Sequence, residues 1–163
     1  MDYPKFPPSR LELIRKWQEL ATADPAIQQN VFFKFVATWV AFNAFYAEMF
    51  PYLAGKDGAQ IRSYSQYEGS KRLHSELLKE DGYHWAVKFF CQQGVLREKQ
   101  PTSLYDFEGI LTHVYRVRCN LFHGDKTPQH TRDYNLVENA YAIVSRLVQK
   151  ELENLVRYET GDY

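Results

Sequence analysis

A chain of 163 residues is long enough for one domain with a substantial core and too short for two comfortable ones. Hydrophobic residues at 45% and charged residues at 25% are ordinary globular proportions, and 16% aromatic residues predict a core dominated by Phe, Tyr and Trp packing. A formal net charge of zero argues against a protein that coats nucleic acid with its whole surface, while leaving room for a local basic site.

Ser9 and Glu12 fit a capping box ahead of Leu11, Ile14, Trp17 and Leu20, whose spacing of three lays one apolar stripe along a first helix. Asp24-Pro25 ends that helix near Ala23. From Ile27 to Met49 apolar residues recur at Phe32, Phe35, Val36, Trp39, Phe42 and Tyr46, and Val40, Phe45 and Phe50 add further apolar sides. A helix apolar nearly all round belongs at the centre of a bundle. Pro51 and then Gly55-Lys56-Asp57-Gly58 end it.

Ala59–Lys79, with Ile61, Tyr64, Tyr67, Leu73 and Leu77, predicts a partly exposed helix, weakened at Gly69 by about 1 kcal/mol relative to Ala. Asp81-Gly82 reads as a turn, followed by a short amphipathic helix carrying Trp85, Phe89 and Phe90, and by a loop at Arg97–Thr102. Ser103 with Asp106 starts the next helix, which runs through Leu111, Val114 and Tyr115 to about Phe122, with Gly124 as its left-handed C-cap. Residues 125–132 form a polar loop, and the last helix, Asp133–Tyr158, carries Val137, Tyr141, Val144, Val148, Leu152 and Leu155 at helical spacing. No period-two pattern, repeat, low-complexity tract or linker stands out. The expectation is a single all-α domain over residues 1–163, an up-and-down bundle of four main helices with one or two short ones.

The N-terminal MDYPKFPPSR lacks the apolar core of a signal peptide, and Phe35–Phe50, interrupted by Thr38, Asn43 and Glu48, falls short of the roughly 20 apolar residues that span a bilayer. Cys91 and Cys119 have no metal-ligand spacing, and a core of this size does not call for a disulfide framework. These features predict a cytoplasmic protein in a reducing compartment, with no membrane association.

The chemistry concentrates late in the chain. Arg116, Arg118, Lys126 and Arg132 stand against only Asp125, with His113, His123 and His130 in the same segment. The plain reading is a solvated helix end. On an ideal helix Arg116 and His123 lie about 20° apart with Asn120 and His113 nearby, whereas Arg118 sits about 140° from His123. If the helix ends at His123-Gly124, the chain can turn there and bring the imidazole back toward Arg118, so spacing leaves open which arginine is the partner. Imidazole titrates near neutrality and can move protons, and guanidinium binds phosphate through a forked donor pair. Together they suit RNA cleavage by attack of its own 2'-hydroxyl, without a metal. A histidine at a helix C-terminus also serves simply to complement the helix dipole, at about 0.3–1 kcal/mol.

The string Arg118-Cys119-Asn120-Leu121-Phe122-His123 resembles the Arg-x4-6-His motif of the HEPN superfamily (higher eukaryotes and prokaryotes nucleotide-binding). An Asn two places after the Arg recurs in HEPN toxins, and R-x-R-x-N-L-F-H-G looks like one subgroup of bacterial HEPN proteins. Trp39-Val40-Ala41-Phe42-Asn43-Ala44-Phe45-Tyr46 resembles the W-x-x-F-N-x-x-Y helix that accompanies it. The resemblance covers about residues 30–150. It implies a helical bundle that forms a two-fold dimer, with the Arg and His of both subunits lining one cleft. It also implies a metal-independent endoribonuclease, without cofactor, of the kind found in toxin–antitoxin, phage-defence and CRISPR settings.

By that resemblance Arg118 stabilises the phosphate being cleaved and His123 is the general acid or base. Asn120 orients the site or binds phosphate, and Arg116 and Lys126 are supporting RNA ligands. The implied partners are RNA, a second copy of the chain and an antitoxin protein. Some HEPN toxins carry a Tyr two places after the His, which a partner nucleotidyltransferase modifies; here that residue is Asp125, which speaks against silencing by that route. Asn43 shares a stripe with Trp39 and Tyr46, and a buried amide needs partners. It either bonds a neighbouring helix or supports the Arg118/His123 site. Two other functions fit the same chain: a non-catalytic RNA- or nucleotide-binding module, and a structural dimerisation or adaptor bundle.

Overall fold

Asn30 decides where the central helix begins. Its backbone is extended (φ −135°, ψ 111°), and its side-chain oxygen accepts hydrogen bonds from the N–H groups of Phe32 and Phe33. Six residues earlier, Asp24 accepts from the N–H groups of Ala26 and Ile27. Each side chain satisfies orphan donors that only a helix start presents. The stretch expected as one helix from Ile27 is therefore two: α2 (Pro25–Gln28) and α3 (Val31–Met49), after α1 (Pro8–Ala23).

The computed structural model describes residues 4–92, 95–96, 99–124 and 130–160. The remaining helices are α4 (Asp57–Gln66), α5 (Glu68–Leu77), α6 (Asp81–Phe90), α7 (Phe107–Phe122) and α8 (Thr131–Thr160), with one 3-10 turn at Pro51–Leu53. The described residues contain no strand. The protein is an all-α helical bundle. Among the described residues four helices have 16 residues or more, and there are four short ones where one or two were expected.

Other local expectations fail for identifiable reasons. The Ser9 capping box does not form: α1 begins one residue earlier at Pro8, after Pro7, with no side-chain cap. A proline at the first helical position has its φ preset and lacks an N–H to satisfy. The helix expected over Ala59–Lys79 breaks at Tyr67, whose backbone is extended (φ −67°, ψ 129°). Asp81-Gly82 is the first turn of α6 rather than a connecting turn, and the turn lies just before it, at Leu78 and Lys79. An acidic residue at a helix N-terminus complements the dipole, so the same dipeptide serves either role.

The core is one contiguous apolar cluster drawing on α1 and α3 through α8. Most of α3 is buried, and it packs on α1 and α8, while α4 packs on α7 and α6 on α8. Phe42 meets Tyr46 and Tyr64 edge-to-face, both at 5.1 Å between ring centres, and Phe45 meets Tyr64 the same way at 6.1 Å. The Tyr64 hydroxyl donates to buried Glu151 at 2.7 Å, tying α4 to α8. Trp85, expected on the apolar face of α6, is instead 61% exposed, with the Lys88 ammonium 4.6 Å above its ring. No helix among the described residues is long and apolar enough to cross a membrane.

His74 is fully engaged inside the bundle. Its Nε2 lies 2.8 Å from the Leu104 carbonyl, which can only accept, so Nε2 carries the proton and Nδ1 accepts from the Tyr83 hydroxyl at 2.8 Å. The ring stacks on Phe107 at 4.4 Å. Burial lowers the His74 pKa, the bond to Leu104 opposing it. A histidine held neutral when folded is protonated more readily when unfolded, so its contribution is present above the unfolded value and is lost as pH falls. Unfolding free energy should therefore decline from about pH 6.5 downward. Urea denaturation across that range measures the slope, and His74→Gln removes part of it.

Candidate functional site

α7 is anchored at its start by Asp106, whose side chain accepts from the Gly109 N–H at 3.0 Å and from the Thr102 N–H at 2.9 Å. Phe107, Ile110, Leu111, Val114 and Val117 form its buried stripe. The helix stays regular to Phe122. His123 caps it with near-helical backbone (φ −84°, ψ 3°), its N–H donating to the Cys119 carbonyl at 3.0 Å. Gly124 then turns left-handed (φ 76°), its N–H donating to Leu121 O at 3.2 Å. The end of the helix thus lies where the sequence puts it.

That ending does not unite the two motif residues within one chain. The left-handed turn comes after His123, so the direction of its side chain is still set by helical backbone, and the separation of about 140° from Arg118 persists. His123 is exposed at the helix end, and among the described residues no hydrogen bond or ion pair joins it to Arg118. Arg116 is exposed as well and Asn120 half-buried. His113, expected near them, is buried instead, donating from Nδ1 to the Gly109 carbonyl at 3.0 Å with Phe90 edge-on to its ring. Lys126 and Asp125 lie outside the described residues.

Arg118 turns toward α3 and α4. Its Nη2 is 3.6 Å from the carboxylate of Asp57, and the side chain is 28% exposed. The guanidinium carbon lies 4.9 Å from the centre of the Phe122 ring and 5.9 Å from that of Tyr115, cation–π geometry in both cases. Nη1 reaches Cys119 Sγ at 4.0 Å, and Nε is buried with no hydrogen-bond partner among the described residues. Tyr115 in turn sits 6.1 Å from the ring of Trp39. Burial raises the Tyr115 pKa; Cys119 and Asp57 raise it further, and Arg118 lowers it.

Asn43 donates to the Tyr46 hydroxyl on its own helix, not to a neighbouring one. Burial pushes the Tyr46 phenol far above its ordinary value; the Asn43 hydrogen bond and Arg118 pull it down, and Asp57 pushes it up. Asp57, Tyr115 and Phe122 went unnoticed as site residues in the sequence. The last two carry a signal, since both lie within four residues of Arg118 on its own helix, spacings that share a face. Asp57 carries none, because 61 residues separate it from Arg118. Among the described residues no group of three or more His, Cys, Asp or Glu is placed to hold a metal ion.

No protein family, curated protein or solved structure matches this chain. Gly124 is the position on which the geometry at the end of α7 turns. A Cβ there would meet nothing within 4 Å, so Gly124→Ala costs only the left-handed backbone penalty, about 1–2 kcal/mol of stability in urea denaturation.

Proposed function

We propose that the chain is a metal-independent endoribonuclease of the HEPN type that works as a homodimer, its catalytic groups completed across the subunit interface. The observation that carries this reading is the state of Arg118. Its guanidinium is held by a carboxylate and two aromatic rings yet keeps part of its surface open, at the same helix end where His123 is exposed. An arginine fixed in this way suits a phosphate whose charge grows during reaction.

In the reaction, an imidazole of His123 takes the proton of the RNA 2'-hydroxyl, and that oxygen attacks the adjacent phosphorus. The bond to the 5'-oxygen breaks, leaving a 2',3'-cyclic phosphate, and the departing oxygen takes a proton from an imidazolium. Arg118 stabilises the charge on the non-bridging oxygens, with Asn120, Arg116 and Lys126 as further RNA contacts and Asn43 supporting from behind. A dimer supplies two histidines, one for each proton transfer. It also answers the separation of about 140° within one chain, because a second copy brings a His123 to each Arg118. The up-and-down order of a HEPN bundle belongs to this reading, as does a role in toxin–antitoxin or defence systems with an antitoxin as partner.

That separation equally favours a second reading, in which exposed Arg116 and part-open Arg118 bind RNA or nucleotides and nothing is cleaved. Incubating the purified protein with RNA in EDTA decides between them. Under the first reading wild type cleaves, and Arg118→Ala and His123→Ala each lose about 100-fold or more. Mixing the two variants restores part of the activity through heterodimers. Intact RNA with wild type, or wild-type rates in His123→Ala, overturns it. Binding that Arg118→Ala weakens, steeply salt-dependent and without cleavage, selects the second reading.

A further inference from the structure

We propose that Asp57 is a positioning residue for Arg118: from the start of α4 it orients the guanidinium toward the phosphate without occupying its hydrogen-bond donors. The inference rests on the ribonuclease reading and names a residue that the motif does not contain.

The distance carries the first part of the argument. Nη2 and the Asp57 carboxylate are 3.6 Å apart. A charge-assisted N–H···O bond is about 2.7–2.9 Å long. The pair therefore attracts across the gap but does not use up the donor. The aromatic contacts act the same way, since Phe122 and Tyr115 meet the guanidinium carbon at 4.9 and 5.9 Å and accept no conventional hydrogen bond from it. Asp57, Phe122 and Tyr115 thus hold Arg118 without taking up its Nη2 donors, while Nη1 reaches Cys119 and Nε is buried.

The second part is the rigidity of Asp57 itself. It is the first residue of α4, where the helix dipole favours a negative charge. The next residue, Gly58, lies against Tyr115: a Cβ built there would stand 3.8 Å from Tyr115 Cε1. The helix bearing the carboxylate thus packs directly on the helix bearing the arginine, in agreement with the broad α4–α7 contact. A short side chain on a packed helix end fixes a long, flexible one. An ion pair exposed to this degree, 28% and 34% on its two sides, adds little to stability. Its consequence should appear in orientation instead.

The test compares wild type, Asp57→Asn, Asp57→Glu and Arg118→Ala in cleavage of an RNA oligonucleotide and in NMR of the Arg118 Nε–H signal. Asp57→Asn should lower kcat by about 10- to 100-fold with KM changed by less than about threefold. The thermal midpoint should move by no more than about 2 °C. The buried Nε–H signal should be sharp in wild type and broadened by solvent exchange in Asp57→Asn. Asp57→Glu should restore part of kcat and the signal. An Asp57→Asn protein with wild-type kcat and an unchanged Nε–H signal overturns the proposal. So does a kcat loss that tracks a lowered thermal midpoint and that Asp57→Glu fails to restore. If wild type does not cleave, or Arg118→Ala cleaves as well as wild type, the ribonuclease reading fails; the Nε–H signal still decides whether Asp57 holds Arg118.

Discussion

Burial of α3 on nearly all sides is the constraint from which the rest of the structure follows. A helix carrying Phe32, Phe35, Trp39, Phe42, Phe45 and Tyr46 can leave only one narrow stripe partly in water, at Phe33, Val36, Val40, Asn43 and Ala47, so other helices must surround the rest. α1 and α8 take the longest contacts, and α4 is drawn in by the ring of Tyr64 against Phe42 and Phe45. The position of α7 is a consequence of that arrangement: Phe107 packs on Tyr64 and His74, and Tyr115 packs on Trp39. The aromatic core therefore sets where Arg118 can be.

Polar groups inside the bundle settle register where apolar contacts alone are permissive. The Tyr64–Glu151 bond fixes α4 against α8, and Gln60 donates to the Phe50 carbonyl at the end of α3. His74 binds the chain ahead of α7 to α5 and α6 through Leu104 and Tyr83. A buried polar group that misses its partner is costly, so each of these bonds penalises displaced packings. Five side chains depart from this pattern: among the described residues Gln18, Thr38, Trp39, Ser70 and Arg118 each bury a polar atom without a hydrogen-bond partner, and the Arg118 charge also faces a carboxylate beyond hydrogen-bond length.

The all-helical class, the central place of the α3 segment and the end of α7 at Gly124 were legible in the sequence because each is local. Apolar residues at helical spacing declare a buried stripe, a run apolar all round declares a centre, and glycine after a helix admits the left-handed turn. Boundaries went wrong where two local signals competed. Asn30 read as part of a helix, yet its side chain caps one; Ser9 read as a cap, yet Pro8 starts the helix first. Tyr67 and Asp81-Gly82 show the same ambiguity, settled by which packing the flanking helices could reach.

The chemistry of the candidate site was likewise legible only in part. Sequence by itself determined that Arg116, Arg118, Asn120 and His123 lie at one helix end, since residues within two turns of one another cannot be far apart. It left open whether the helix end brings His123 back toward Arg118; the structure keeps them about 140° apart, because Gly124 turns one residue too late to change that angle. Only the tertiary structure decided which way Arg118 faces. It brought Asp57 from 61 residues away beside the guanidinium, bonded Asn43 to Tyr46 on its own helix, and put His113 in the core. The reason is physical: helical spacing fixes relations within an element, whereas contacts between elements depend on how buried surfaces come together.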